Sequence, residues 1–384
     1  MMKGILIKIL GVCVFIASLG LVSCSDEPEQ KIEHKRLILL YAVAANNLNS
    51  NLRYDLREIL SVGGQLDLVR NKVMVYSVVP GGECKLQEMV KTKTGTYEFS
   101  TVKEFDPLPL SVEEERIREV IDYVNATYDY PYKGLILWSH ATGWEPWFGT
   151  FPDSGSGARR SFGVDSYEGT SYRCNINNLA NAIPEGIFDF IWFDCCYMAN
   201  IETAYELRDK TEKIVGYATE IWNDGMPYDA TMPYLLRAEP DLPGAAFALF
   251  AHYDEAGEAV TISITDTSEL EGLARASTRI FAEGTAPTSL VGIHNYARSP
   301  NGPFYDMGAL LRSYRGVPEV YVDEFDQALE RAVPYKLASE YDFSGALIRP
   351  SQYCGLTMHN FIDNGTASEN FYKLLEWYKA TRGE

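Results

Sequence analysis

Short, nearly uninterrupted apolar runs rich in β-branched and aromatic residues recur along the chain, and they constrain its fold more than any other feature. Residues 37–44, 72–79, 134–139, 188–193 and 213–219 are each too short for a buried helix. A half-solvated strand alternates apolar and polar residues, whereas a run apolar almost throughout is buried on both faces, the pattern of a parallel sheet between helices. Helix patterns lie between the runs. Residues 111–123 open with a capping box, Ser111 with Glu114, and set Ile117, Val120, Ile121 and Val124 at helical spacing. Residues 177–183 and 201–208 read as shorter helices, and 86–101 as a hairpin turning at Thr94-Gly95. Alternating strand and helix predict an α/β protein, an αβα sandwich with a mostly parallel central sheet.

The pattern divides the chain of 384 residues. We expect a catalytic α/β domain over residues 37–231 and, where the pattern becomes less regular and more helical, a C-terminal extension over 232–384 packed on it. That extension ends in an aromatic-rich helix over 364–380. At the other end, Lys3 and Lys8 flank an apolar stretch over 9–22 that is too short, with the wrong flanks, for a spanning helix. Leu21-Val22-Ser23-Cys24 resembles a bacterial lipobox, so residues 1–23 are expected to leave as a signal peptide, with Cys24 lipidated and 24–36 a tether. The acidic run from Ser25 to Glu29 is similar to the surface-export signal of Bacteroidetes lipoproteins. The expectation is an exported, outer-membrane or cell-surface lipoprotein of a Gram-negative, Bacteroidetes-like bacterium, held to a membrane through Cys24. Nucleic acid is excluded as a partner, because 34 Lys and Arg against 53 Asp and Glu give a net charge of −19.

Of seven cysteines, Cys13 leaves with the signal and Cys24 is lipidated, which leaves an odd number in the mature chain. No spacing suggests zinc, and the adjacent pair Cys195-Cys196 is poorly placed for an ordinary disulfide. Two of the buried runs end in reactive side chains: one leads into His140, another into Asp194-Cys195-Cys196. Ligand sites of open parallel sheets form at the carboxyl ends of the strands, so both ends are expected to face one cleft. Alone, His140 reads equally well as a satisfied structural histidine and the cysteines as small buried hydrophobes. Paired strand ends favour chemistry. An adjacent imidazole and the N-terminus of the helix beginning at 201 would both lower a thiol pKa. Strand alternation puts Cys196 on the face of Asp194 and turns Cys195 away.

These residues resemble the clostripain-like cysteine peptidases, whose fold is similar to that of caspases. The likeness rests on His140-Ala141-Thr142-Gly143-Trp144, on Asp194-Cys195-Cys196-Tyr197-Met198 followed by Glu202 and Tyr205, and on the segments YAVAANNL, RSFGVD, GMPYD, YDMG and CGLTM in family order. It implies a cysteine endopeptidase with His140 as general base, Cys196 as nucleophile and the Ala141 N–H in the oxyanion hole. Asp194 matches the acid that receives Arg or Lys at P1, the residue before the cleaved bond; Glu220 is a second candidate for that pocket or its rim. Substrates would be proteins or peptides with a basic P1 residue. Activation by cleavage would fall at Arg159 or Arg160, against the alternative that these are a solvated basic pair. Two departures stand out. Ala141 replaces a family glycine, and Ala45 stands where the family often has Asp, which leaves calcium use in doubt and no metal ligand assigned. The alternatives are a weak or inactive surface lipoprotein using the fold as a binding module, and an amidase or transpeptidase using the same dyad.

Overall fold

The apolar run predicted over 37–44 is strand β1 (Arg36–Val43), buried at every position at the heart of the sheet. The structure is a computed structural model that describes residues 35–146, 151–152, 161–237, 239–299, 302–349 and 352–383. Further strands are β2 (Lys72–Val79), β3 (Glu83–Lys91), β4 (Tyr97–Phe105), β5 (Tyr132–Trp138), β6 (Phe151–Pro152), β7 (Phe162–Tyr167) and β8 (Thr170–Cys174). Beyond them lie β9 (Phe188–Asp194), β10 (Thr211–Gly216), β11 (Thr261–Asp266), β12 (Tyr305–Asp306), β13 (Tyr335–Ala338) and β14 (Thr357–Met358). Nine of these form the main sheet, in the order β13-β11-β10-β9-β5-β1-β2-β3-β4. The strands from β10 to β2 in that order run parallel, and antiparallel strands flank them at both edges.

Side chains of β1 alternate between two cores. Leu37, Leu39, Tyr41 and Val43 join one, under helices Glu114–Thr127, Ile176–Ala182, Ile201–Glu206 and Leu270–Glu283. Ile38, Leu40 and Ala42 join the other, under Asn49–Ser61, Tyr228–Leu235 and Leu242–Ala256. This is the expected αβα sandwich with a mostly parallel sheet. Parallel strands with both faces covered have no solvated side, which is why they read as apolar runs rather than alternations. Packing in the centre is tight enough to demand a particular residue: a Cβ on Gly134 of β5 would lie 2.2 Å from the Phe190 ring.

Three local expectations differ from what the structure contains. The capping box at Ser111 does not form: the helix begins at Glu114 after Glu113, and the Ser111 N–H donates to Asp165 Oδ2 at 2.7 Å instead. A carboxylate distant in sequence has taken the group that a local cap would use. The helix expected over 364–380 is two, Ala367–Tyr372 and Glu376–Arg382, the first opened by a capping box of Thr366 and Glu369. The segment after residue 231 contributes β11 and β13 to one edge of the main sheet, and the described residues belong to one compact unit, His34–Glu384.

Candidate active site

Strands β5 and β9 are parallel neighbours whose last registered pair is Trp138 with Asp194. His140 and Cys196 each stand two residues further on, so the register brings both to the same carboxyl edge of the sheet. Ser139 locks this edge: its Oγ donates to the Val43 carbonyl at 2.7 Å and accepts from the Val164 N–H at 3.1 Å, tying the ends of β1, β5 and β7 together.

The His140 ring has a partner that the sequence reading did not assign. Nε2 lies 2.8 Å from Asn47 Oδ1, and an amide oxygen only accepts, so Nε2 carries the hydrogen and Nδ1 is the basic nitrogen of the neutral ring. Asn47 follows β1, the other neighbour of β5, and Asn46 beside it pins the loop by donating to the Val43 and Val164 carbonyls at 2.9 and 2.8 Å. The available signal was positional: residues just beyond β1 lie beside residues just beyond β5.

Along β9, Asp194 and Cys195 face opposite sides, while Cys196, beyond the strand, packs against both cores. Cys195 is buried in one core, with its thiol 3.7 Å from the Leu137 carbonyl, while Asp194 faces the other side. The Cys196 thiol is half-buried beneath Ile221, 3.5 Å from its N–H and 3.8 Å from its carbonyl. Burial pushes this thiol up to about 12, helped by the nearby charges of Glu220 and Asp194 and only partly opposed by the Ile221 N–H and Arg298. The expected lowering is therefore overturned in this conformation. Desolvation outweighs the attractions that would favour a thiolate, and the six-residue helix Ile201–Glu206 is capped by its own Asn200, which accepts from the Thr203 N–H at 2.7 Å.

Asp194 is buried, and both of its oxygens are engaged. Oδ1 accepts from the Met226 N–H at 3.0 Å and Oδ2 from the Tyr228 hydroxyl at 2.9 Å, so the carboxylate clasps the GMPYD segment. Burial nevertheless raises it to about 6. Gly225 permits the clasp, with a φ of 61° and with an added Cβ only 2.9 Å from Oδ2. Glu220 is in contact with a cation: Oε2 is 2.5 Å from the Arg298 guanidinium, and Oε1 accepts from the Tyr197 hydroxyl at 2.9 Å.

A family model described as the clostripain family matches residues 40–300. The chain belongs to the clostripain family. It is similar in structure to a secreted C11 cysteine protease from Bacteroides thetaiotaomicron in complex with an irreversible peptide inhibitor, with a TM-score of 0.78 at 25% identity, covering 91% of this chain and 99% of that one. It is also similar to an inactive zymogen C11 protease from Parabacteroides distasonis, with a TM-score of 0.76 at 27% identity, covering 90% of this chain and 97% of that one. Comparison with curated proteins gives no match. The protein is thus a cysteine protease of the clostripain family with the αβα architecture of its C11 relatives.

Other clostripain-type motif residues act as braces around Cys196 and its neighbours. Gly143 has a φ of 63°, and a Cβ there would lie 2.7 Å from Phe304 and 2.9 Å from the Tyr197 carbonyl. Tyr197 itself adopts a φ of 62° and stacks on Phe304 at 4.7 Å. Glu202 is buried, accepts from the His359 N–H at 2.8 Å and the Tyr372 hydroxyl at 2.9 Å, and is raised to about 7 by burial. Tyr205 donates to Glu271 at 2.8 Å, and Asp306 of YDMG accepts from the Cys354 N–H of CGLTM at 2.9 Å.

The departures from the family pattern have a structural reading. Ala141 is not among the residues with positive φ, so alanine fits its backbone without strain. Its neighbours make the ladder bonds, Thr142 N–H to Ser161 and Gly163 N–H to His140, and neither uses the Ala141 N–H. Ala45 is 2% exposed in an apolar core, where an acid would be costly, and its carbonyl accepts from the Ser166 N–H at 3.0 Å. Among the described residues no group of three or more His, Cys, Asp or Glu side chains is arranged to hold a metal ion, and the five cysteines described are free thiols. Cys24, Arg159 and Arg160 lie outside the described residues.

Proposed function

We propose that the protein is an exported endopeptidase that cleaves after arginine, and less well after lysine, with Cys196 as nucleophile and His140 as general base. The observation that carries this reading is the register of β5 and β9, which brings both residues to one edge. Because the resting thiol is neutral, its proton must leave as the sulfur attacks, and His140 Nδ1 is the base on hand, with Asn47 holding the ring in the required tautomer. The sulfur bonds to the P1 carbonyl carbon, and the Ala141 N–H is a donor for the resulting oxyanion. Collapse of the adduct expels the amine with the proton from His140, leaving an acyl-enzyme. Water then attacks it, giving a proton to His140; the carbon–sulfur bond breaks to release the carboxylic product, and the His140 proton returns to the sulfur to regenerate the thiol.

Acids around the nucleophile support a basic P1. Asp194 supplies negative potential from beneath, although its oxygens are engaged; Glu220 and Asp224, which is exposed on the Trp222–Gly225 turn, are the carboxylates a substrate can reach. A guanidinium gains paired charge-assisted hydrogen bonds that a lysine ammonium cannot match. Matched peptides carrying Arg, Lys, citrulline or Asp at P1 test this. We expect kcat/KM for Arg to exceed that for neutral citrulline by about ten- to a hundredfold, in line with charged hydrogen bonds of roughly 1.5–3 kcal/mol; a preference for citrulline or Asp overturns the assignment. Activation by cleavage after Arg159 or Arg160 belongs to the same proposal, and the relation to an inactive zymogen supports it.

The secreted relative supports export, and Cys24 is the proposed lipid anchor, with residues 1–23 as the signal. Wild-type protein is expected in the membrane fraction and Cys24→Ser in the soluble one. Wild-type protein that is soluble without detergent rules the anchor out.

A further inference from the structure

Glu220 already holds an arginine supplied by the same chain. The Arg298 guanidinium lies 2.5 Å from Glu220 Oε2, and the Arg298 backbone N–H donates to the Tyr197 hydroxyl at 3.3 Å, while that hydroxyl donates to Glu220 Oε1 at 2.9 Å. Tyr197 directly follows the nucleophile, and Arg298 is one of the charges that act on the Cys196 thiol. The contact is aimed by a folded segment: the Ala297 N–H donates to Asn295 Oδ1 at 3.0 Å, the Tyr296 N–H to the Phe304 carbonyl at 2.8 Å, and Phe304 stacks on Tyr197. Behind it, His294 pairs with Asp342 at 2.8 Å and the Tyr296 hydroxyl donates to Asp306 at 3.2 Å.

We infer that Arg298 is a specificity-determining residue, a resident guanidinium on Glu220 that the basic P1 side chain of a substrate must displace. This rests on the basic-P1 reading above. The Arg298 side chain is 63% exposed and that of Glu220 25%, so the pair is a half-solvated one that a substrate can open. Displacement exchanges one guanidinium for another on the same carboxylate. The cost therefore falls on basic substrates alone, since a neutral P1 side chain does not compete for Glu220. A resident competitor also raises the affinity a substrate needs before it engages the cleft.

The test compares wild type, Arg298→Ala and Arg298→Lys on peptides with Arg, Lys or citrulline at P1. Removing the competitor should lower KM for Arg and Lys peptides about two- to fivefold relative to KM for citrulline peptides, the scale of an exposed ion pair. Arg298→Lys should stay near wild type. A second measurement needs no turnover: protection of Cys196 from iodoacetamide by argininamide should take two- to fivefold less argininamide in Arg298→Ala. Unchanged values, an equal change for every P1, or a KM that rises for basic substrates alone would overturn the inference, the last by making Arg298 a positioning partner of Glu220. Failure of the underlying reading is distinguishable, because it appears in the wild type as a preference for citrulline over arginine.

Discussion

Cys196→Ala should abolish turnover, by on the order of a thousandfold or more, whereas Cys195→Ala should keep most of it and lose about 1 kcal/mol of stability. The two thiols are adjacent in sequence but belong to different environments. Cys195 is fully packed in one core with its thiol against the Leu137 carbonyl, and burial pushes its pKa well above the ordinary value. Cys196 is half-buried at the edge that it shares with His140. Measuring kcat/KM and melting temperature on both variants, with mass-spectrometric mapping of an arginyl electrophile on the wild type, separates the roles. An essential Cys195 beside a dispensable Cys196 would refute the site.

Asp55→Asn should raise stability by several kcal/mol at pH 8 and hardly at all near pH 4. Asp55 is fully buried on helix Asn49–Ser61 with one oxygen accepting from Trp138 Nε1 at 2.8 Å, and burial beside Asp194 raises its pKa to about 9. The folded state thus holds a proton that the unfolded chain releases near pH 4. By linkage, this stability is fully present below the unfolded pKa and is lost as pH rises toward the folded one, each tenfold difference in proton affinity being worth about 1.4 kcal/mol. Asn mimics the protonated acid and keeps the acceptor for Trp138. Glu58 and Glu202, both raised to about 7, and Asp194, raised to about 6, act in the same direction. Wild-type melting temperature should therefore fall between pH 5 and 8, and the gain from Asp55→Asn should grow over that interval to about 5 °C. A gain independent of pH, or a loss at pH 8, would show that Asp55 is ionised in the fold.

What could be read in the sequence follows from range. The parallel strands announced themselves because burial on both faces is written into consecutive residues, as in the wholly buried β1. His140 and Cys196 were legible because strand ends are local and the carboxyl edge of a parallel sheet is a general site. Long-range competition was not legible. Ser111 has the local features of a cap, yet Asp165 takes its N–H; Asn47 meets His140 only because β1 and β5 are neighbours; and Arg298 reaches Glu220 across a loop with no local signature. Helix Leu242–Ala256 was missed as a separate element because Pro, Ala and aromatic residues blur the period there, whereas strand β11 carries a plain alternation of Ile with Thr and Ser that was legible and overlooked. The Cys196 pKa belongs to the same class, since the residue covering the thiol is Ile221, from another strand end.

The bond between Ala199 and Thr357 makes the surroundings of Cys196 depend on a distant stretch of the chain. The Thr357 N–H donates to the Ala199 carbonyl at 2.9 Å, and one oxygen of Glu202, just beyond, accepts from both His359 and Tyr372. The backbone that follows Cys196 is therefore held by residues 157 or more positions further along the chain. Cutting the chain before about residue 350 is expected to keep His140 and Cys196 while removing the contacts that hold the backbone after Cys196 in shape. The surroundings of Cys196 are thus assembled only when a segment remote in sequence has folded onto them.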